Sequence, residues 1–169
     1  MNEFQKDIER YLDLIPTENW QEELRITSAE TLELYQQLTE EQADFAYAEG
    51  KWTLKEVLQH LIDAERIFIY RALRFSRNDQ TEIAGWDEEG YGREYHLEEV
   101  SLKNLLEEFD QLRKSNILFF QNLKAVFFSR KGIANGNEIS VETLGKLIVG
   151  HHLHHLNSVK ERYLTPLQK

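Results

Sequence analysis

Apolar residues recur at threes and fours along most of the chain, the spacing of one face of an α-helix. A short amphipathic piece from about Phe4 to Leu14 stops at Pro16. Beyond it Trp20, Leu24, Thr27, Thr31, Leu34 and Leu38 predict a first long helix from about Glu18 to Leu38. Thr53 and Glu56 form a T-x-x-E capping box, and Trp52 stands just before the cap, where it can staple onto Val57. Val57, Leu61, Ala64, Ile67, Phe68 and Leu73 then carry a second helix to about Ser76. Ser101 caps a third helix running through Leu105, Leu112, Leu118 and Val126, with Val100 as its staple. The stretch "GIANGN" reads as a turn, and Ser140 caps a fourth helix to about Leu164. No segment shows strand alternation in this reading.

Four such helices predict an all-α fold, a four-helix bundle. The segment 77–100, between the second and third helices, is about twice the length of the other links. A helix of about 24 residues spans about 36 Å, which this segment can cover when extended. Helices two and three can therefore run parallel. The expected order is up-down-down-up with one long crossover between helices two and three, and helices two and four are then antiparallel.

Composition removes several function classes. At 169 residues the chain suits a single domain, 1–169, with one core. Thirty acidic against 20 basic residues give a net charge of −10, which repels phosphate backbones and anionic membranes, so neither nucleic acid nor membrane is an expected partner. Zero cysteines exclude disulfides, thiolate metal sites and a thiol nucleophile borne by the protein. The charged N-terminal stretch does not look like a signal peptide, and no apolar run approaches a membrane span, so a cytoplasmic location is expected.

Four of the six histidines lie in "VGHHLHHLNSVKERYL". At about 100° per residue, with His151 at zero, His155 falls near 40°, His152 near 100° and His154 near 300°. Val141, Leu144, Ile148, His151, His155 and Val159 thus make one core stripe with two histidines set into it. A single His on such a stripe is readily a satisfied core residue, and a His-rich helix end is readily solvated surface. Two at i and i+4 can reach one metal ion, although that pair still needs a third ligand. His60 offers itself on the inward stripe Thr53, Val57, His60, Ala64, Ile67 of helix two, at a depth similar to His155 if helices two and four are antiparallel. Three imidazoles buried together without a cation would strand polar nitrogens at roughly 1–3 kcal/mol each.

The segments "KWTLKEVLQHLIDAERIFIYRALRF" and "ANGNEISVETLGKLIVGHHLHHLNSVKERYL" resemble the DinB/YfiT-like superfamily of metal-dependent enzymes, over nearly the whole chain. The resemblance implies an up-down-down-up four-helix bundle holding a divalent metal, zinc or nickel, on one His of helix two and two of helix four. Carried across, these are His60, His151 and His155. In that family an acidic residue often follows the first His of the last helix; here His152 takes its place, so either of the adjacent pair could ligate, and the helical wheel favours His151.

An open three-His site supports activation of water for hydrolysis or delivery of a thiol to an electrophile. Family members with assigned activities look like hydrolases or low-molecular-weight-thiol S-transferases, so a metal-dependent enzyme acting on a small molecule, with any thiol supplied as cosubstrate, is the expected function. The alternative is a non-catalytic bundle that uses the metal for small-ligand binding, or a dimeric interaction module. Asp63, three residues after His60, could orient its imidazole or pair with a surface Arg. Tyr91, with Tyr95 and His96, could wall a pocket, whereas Trp86 reads as aromatic packing of the loop. The apolar stretch "ILFFQNLKAVFF" could form a homodimer interface through Phe119, Phe120, Phe127 and Phe128, or belong to a kinked or deeply buried helix.

Overall fold

The capping chemistry sets three of the four long-helix starts. In the computed structural model, which describes residues 3–164, Thr53 Oγ1 accepts from the Glu56 amide at 3.2 Å and Glu56 Oε2 accepts from the Thr53 amide at 2.7 Å. These bonds open α4 (Leu54–Ser76), preceded in the chain by α1 (Glu3–Leu12), α2 (Trp20–Gln36) and the short α3 (Glu40–Ala43). Ser101 Oγ caps α6 (Leu102–Gln121), and Ser140 Oγ caps α7 (Val141–Ser158) by accepting from the Thr143 amide at 3.0 Å. A single π-helical turn, Val159–Leu164, continues α7, and the crossover between α4 and α6 contains α5 (Glu88–Arg93).

Side-chain pairings give the directions. Tyr35, at the end of α2, donates to the Leu54 carbonyl at the start of α4, so those helices are antiparallel. Glu40 meets both Lys55, at the start of α4, and the Leu102 amide, at the start of α6, so α4 and α6 run parallel. Trp20, at the start of α2, lies against Gly145 near the start of α7, and Thr31 meets His152 further along both, so α2 parallels α7. The bundle is therefore up-down-down-up, with α4 and α7 antiparallel. Against it, α1 lies on α7 where Gly150 admits the Tyr11 backbone; a Cβ there would strike that carbonyl.

Two apolar clusters fill the bundle. One contains Trp20, Leu24, Phe75, Phe120 and Leu144; the other, toward the far end, contains Tyr35, Leu54, Leu58, Phe109 and Val159. Between them every long helix contributes polar side chains: Thr27 and Thr31 from α2, Glu65 from α4, Arg113 and Asn116 from α6, His151 and His152 from α7, all buried.

Two expectations need correcting. A two-stranded antiparallel hairpin, β1 (Lys131–Ala134) and β2 (Asn137–Ser140), stands where only a turn was expected. Asn135 and Gly136 turn it with φ of 51° and 69°, the left-handed pair that suits a tight hairpin loop. Four-residue strands are too short to display an alternation, so only the Asn-Gly step announces them. The third helix also ends at Gln121 rather than near Val126, and the chain folds back through a 3₁₀ turn at Ala125–Phe127. Phe120 is core, and Phe119 and Phe128 pack against it, Phe128 stacked at 6.4 Å from the Phe120 ring. Phe119, Phe120 and Phe128 thus cover the bundle end, whereas Leu118 and Val126 stay exposed.

Candidate metal centre

His60 sits two turns inside α4 and is fully buried, because the stripe it occupies faces α7. His151 and His155, one turn apart on α7, face it. The His60 and His151 Nε2 atoms are 2.9 Å apart, and His155 Nε2 lies 3.2 Å from His151 Nε2. A fourth group completes the cluster: Glu88 Oε1, on α5, is 3.4 Å from His60 Nε2. One donor atom from each of the four lies within 4.8 Å of all the others.

Burial is the main force on these imidazoles and disfavours their charged forms. It pushes His60 down to about 4, assisted by His154, and His155 down to about 3, assisted by His60. His151, also buried, is likewise held well below the usual histidine range. At neutral pH all three are uncharged, the state in which an imidazole nitrogen can offer a lone pair to a metal. Partial burial and the neighbouring Glu89 charge push the Glu88 carboxyl up.

The donor set fits a divalent cation. His151 Nε2 faces two other imidazole nitrogens yet has only one hydrogen or one lone pair to share between them. Around a tetrahedral zinc with bonds of about 2.0–2.1 Å, ligand nitrogens stand about 3.3 Å apart, close to the spacings seen here. The His60 ring is held by indoles: Trp52 at 4.8 Å and, stacked within 12° of parallel, Trp86 at 6.1 Å. Its Nδ1 is buried without a hydrogen-bond partner, whereas metal-binding histidines usually donate that N–H to an acceptor.

His152 points away, into the polar layer. Arg113 Nη2 donates to its Nδ1 at 2.7 Å, and since a guanidinium only donates, that nitrogen carries the lone pair. Nε2 then carries the hydrogen and donates to Thr31 Oγ1 at 2.6 Å. Both nitrogens are engaged. Arg113 also grips Glu65 with Nε and Nη2, at 2.9 and 2.8 Å, and donates through Nη1 to the Leu24 carbonyl and Thr27.

Of the remaining expected residues, Asp63 accepts from Gln59 at 3.0 Å and lies 3.8 Å from Arg66; it makes no hydrogen bond to His60. Tyr91 is exposed and packs edge-on against Trp86 at 5.2 Å, one ring removed from His60. The buried Tyr95 hydroxyl is near Asp63 but outside hydrogen-bond geometry; burial, then that charge, raise its pKa. His96 is exposed. Glu88 escaped sequence reading because the crossover also offers Glu82, Asp87 and Glu89, and nothing in their spacing selects one. Trp86, expected to pack the loop, does so on a candidate ligand.

A cleft of about 550 Å³ opens beside the cluster, with Trp52, Glu88, Arg93, His154, His155 and Tyr163 among its walls. A second, of about 580 Å³, lies between α2 and α6 and has Leu32, Tyr35, Leu106 and Asp110 in its lining, with no histidine. The first is the one with metal-binding chemistry at its edge. Among the described residues no helix is long and apolar enough to cross a membrane.

Comparison with solved structures finds YfiT from Bacillus subtilis, described as a probable metal-dependent hydrolase with an unusual four-helix bundle topology. It is 21% identical, with a TM-score of 0.71 over 96% of this chain and 89% of that one, which shows a shared fold. Among curated proteins none matches in sequence. The profile of the DinB superfamily matches residues 23–159, a span that takes in His60, the crossover and every histidine of α7, and the chain belongs to that superfamily.

Proposed function

We propose that the protein is a metal-dependent enzyme that acts on a small molecule in the cleft beside His155, with His60, His151 and His155 as ligands of one divalent cation, zinc or nickel. The observation that carries this reading is the convergence of three imidazole Nε2 atoms in the middle of a bundle, those of His60 and His151 buried and that of half-buried His155 at the cleft. Burying such polarity in a core is costly unless something partners it. A divalent ion bound there would act as a Lewis acid, polarising the bond attacked and lowering the pKa of the attacking group.

The chain's own residues narrow the reaction. There is no cysteine, and both tyrosines at the cleft are engaged. Tyr163, pushed up to about 12 by burial, donates to the Trp52 carbonyl, and Tyr47 accepts from Arg162. This favours a nucleophile from outside the chain: water, for hydrolysis, or a low-molecular-weight thiol, for transfer. Trp52 and Trp86 shield His60 from solvent, and Arg93 and His154 line the approach to His155. The relative described as a probable metal-dependent hydrolase supports the same class.

The test begins with metal content, measured by plasma mass spectrometry on untagged protein beside His60→Ala and His151→Ala. About one divalent ion per chain, lost in both variants, is the expected result. Loaded protein is then assayed with ester and amide panels and with thiols plus electrophiles. Wild-type protein that stays empty after incubation with zinc and nickel would refute the proposal.

A further inference from the structure

We infer that Glu88 is a fourth, displaceable ligand of the same cation, so that α5 is a lid latched over the site by its own carboxylate. This rests on the metal reading above. The three histidines lie on long helices within the bundle, and their rings are fixed by packing. Glu88 differs in both respects. Its side chain is 49% exposed, on the cleft side of the cluster, and it belongs to a six-residue helix of which no residue is buried.

What holds α5 down is the site itself. Glu88 Oε1 meets His60 Nε2, the adjacent Trp86 ring stacks over His60, and Gly92 lies so close to Trp52 that a Cβ would come within 2.8 Å of the indole. Segments with few buried apolar contacts open at low cost. Three imidazoles and one carboxylate make up a four-coordinate set, closed at rest. The carboxylate is the member that can leave, because its departure uncovers no core and delivers it to solvent. Release of Glu88 would admit a ligand from the cleft and free α5 together, which couples substrate entry to movement of the crossover. This also assigns a purpose to the exposure of a carboxylate beside two buried histidines and a half-buried one.

The experiment titrates cobalt(II) into metal-stripped, full-length wild type and Glu88→Gln, with folding of both verified by circular dichroism. Visible absorption reports the coordination sphere, and trypsin cleavage after Arg93 reports whether α5 is held. The expected result is a changed cobalt spectrum and a Kd raised about tenfold or more in Glu88→Gln. Cobalt should slow cleavage about tenfold in wild type and leave it unchanged in the variant. Identical spectra, with Kd values within about twofold and equal protection, would overturn the latch while leaving the three-His site standing. Folded wild type that binds no cobalt would overturn both.

Discussion

Replacing Arg113 with Met tests the buried polar layer directly. Arg113 is 1% exposed and Glu65 3%, and the guanidinium spends all three nitrogens on the core. It donates to both Glu65 oxygens, to the Leu24 carbonyl, to Thr27 and to His152 Nδ1. Met fills similar space but supplies no donor. Glu65 would then keep only the Asn116 amide, at 3.0 Å, as a partner for a buried carboxylate. Removing one member of a buried ion pair typically costs about 3–5 kcal/mol, because the other charge is left uncompensated. We expect the full range here, since His152 and the Leu24 carbonyl lose their donors as well.

The magnitude is read from urea denaturation of the metal-free protein, with linear extrapolation and a check that the slope is unchanged. The double variant Arg113→Met with Glu65→Leu sharpens the test. If the penalty is a stranded carboxylate, removing that carboxylate recovers part of the loss, and the double variant is more stable than Arg113→Met alone. A loss below about 1 kcal/mol for Arg113→Met, or a double variant less stable than the single, would refute the reasoning.

Three further outcomes follow from the same geometry. His60, His151, His152 and His155 all have folded pKa values below the unfolded value of about 6.5. Between pH 6.5 and 5 the unfolded chain therefore binds protons that the folded one refuses, and stability falls by up to about 1.4 kcal/mol per pH unit for each histidine. The melting temperature of metal-free protein should drop across that window, and an unchanged or higher value at pH 5 would contradict the buried-neutral assignment. Gly150→Ala should destabilise by about 1–3 kcal/mol despite the better helix propensity of Ala, as its Cβ meets the Tyr11 carbonyl; a stabilised variant in thermal melts would show that α1 does not dock there. Glu56→Ala removes the acceptor for the Thr53 amide and should cost about 1 kcal/mol in the same melts, against no change if the cap were incidental.

Much of the fold was legible because its signals are local. Thr53–Glu56, Ser101 and Ser140 cap the helices they announce, and the length of the crossover implied the parallel pairing of α4 and α6. The histidine convergence could be inferred because both contributing stripes are helical and their depths follow from counting turns. What stayed hidden depends on tertiary placement. The hairpin strands have four residues each, too few for a period, and the helical pattern through "ILFFQNLKAVFF" runs on past the break at Gln121 because Phe128 returns to the same core. Glu88 and Trp86 lie on an irregular segment whose path no periodicity describes.

His151 and His152 show how one helix serves two chemistries. Adjacent residues on a helix diverge by about 100°, so a pair of neighbouring histidines must face different neighbours. His151 faces α4 and the cluster of Nε2 atoms; His152 faces α2 and α6, where Thr31 and Arg113 take both of its nitrogens. Exchanging their roles would require rotating α7 by about 100°, which would turn Leu144 and Ile148 out of the core. The Arg113 network therefore does more than neutralise Glu65. By hydrogen-bonding His152, it ties the rotation of α7 to α2 and α6, and that rotation is what aims His151 and His155 at His60. A polar contact on the far face of the helix thus defines the geometry of the near one, through a backbone too stiff to let adjacent residues choose independently.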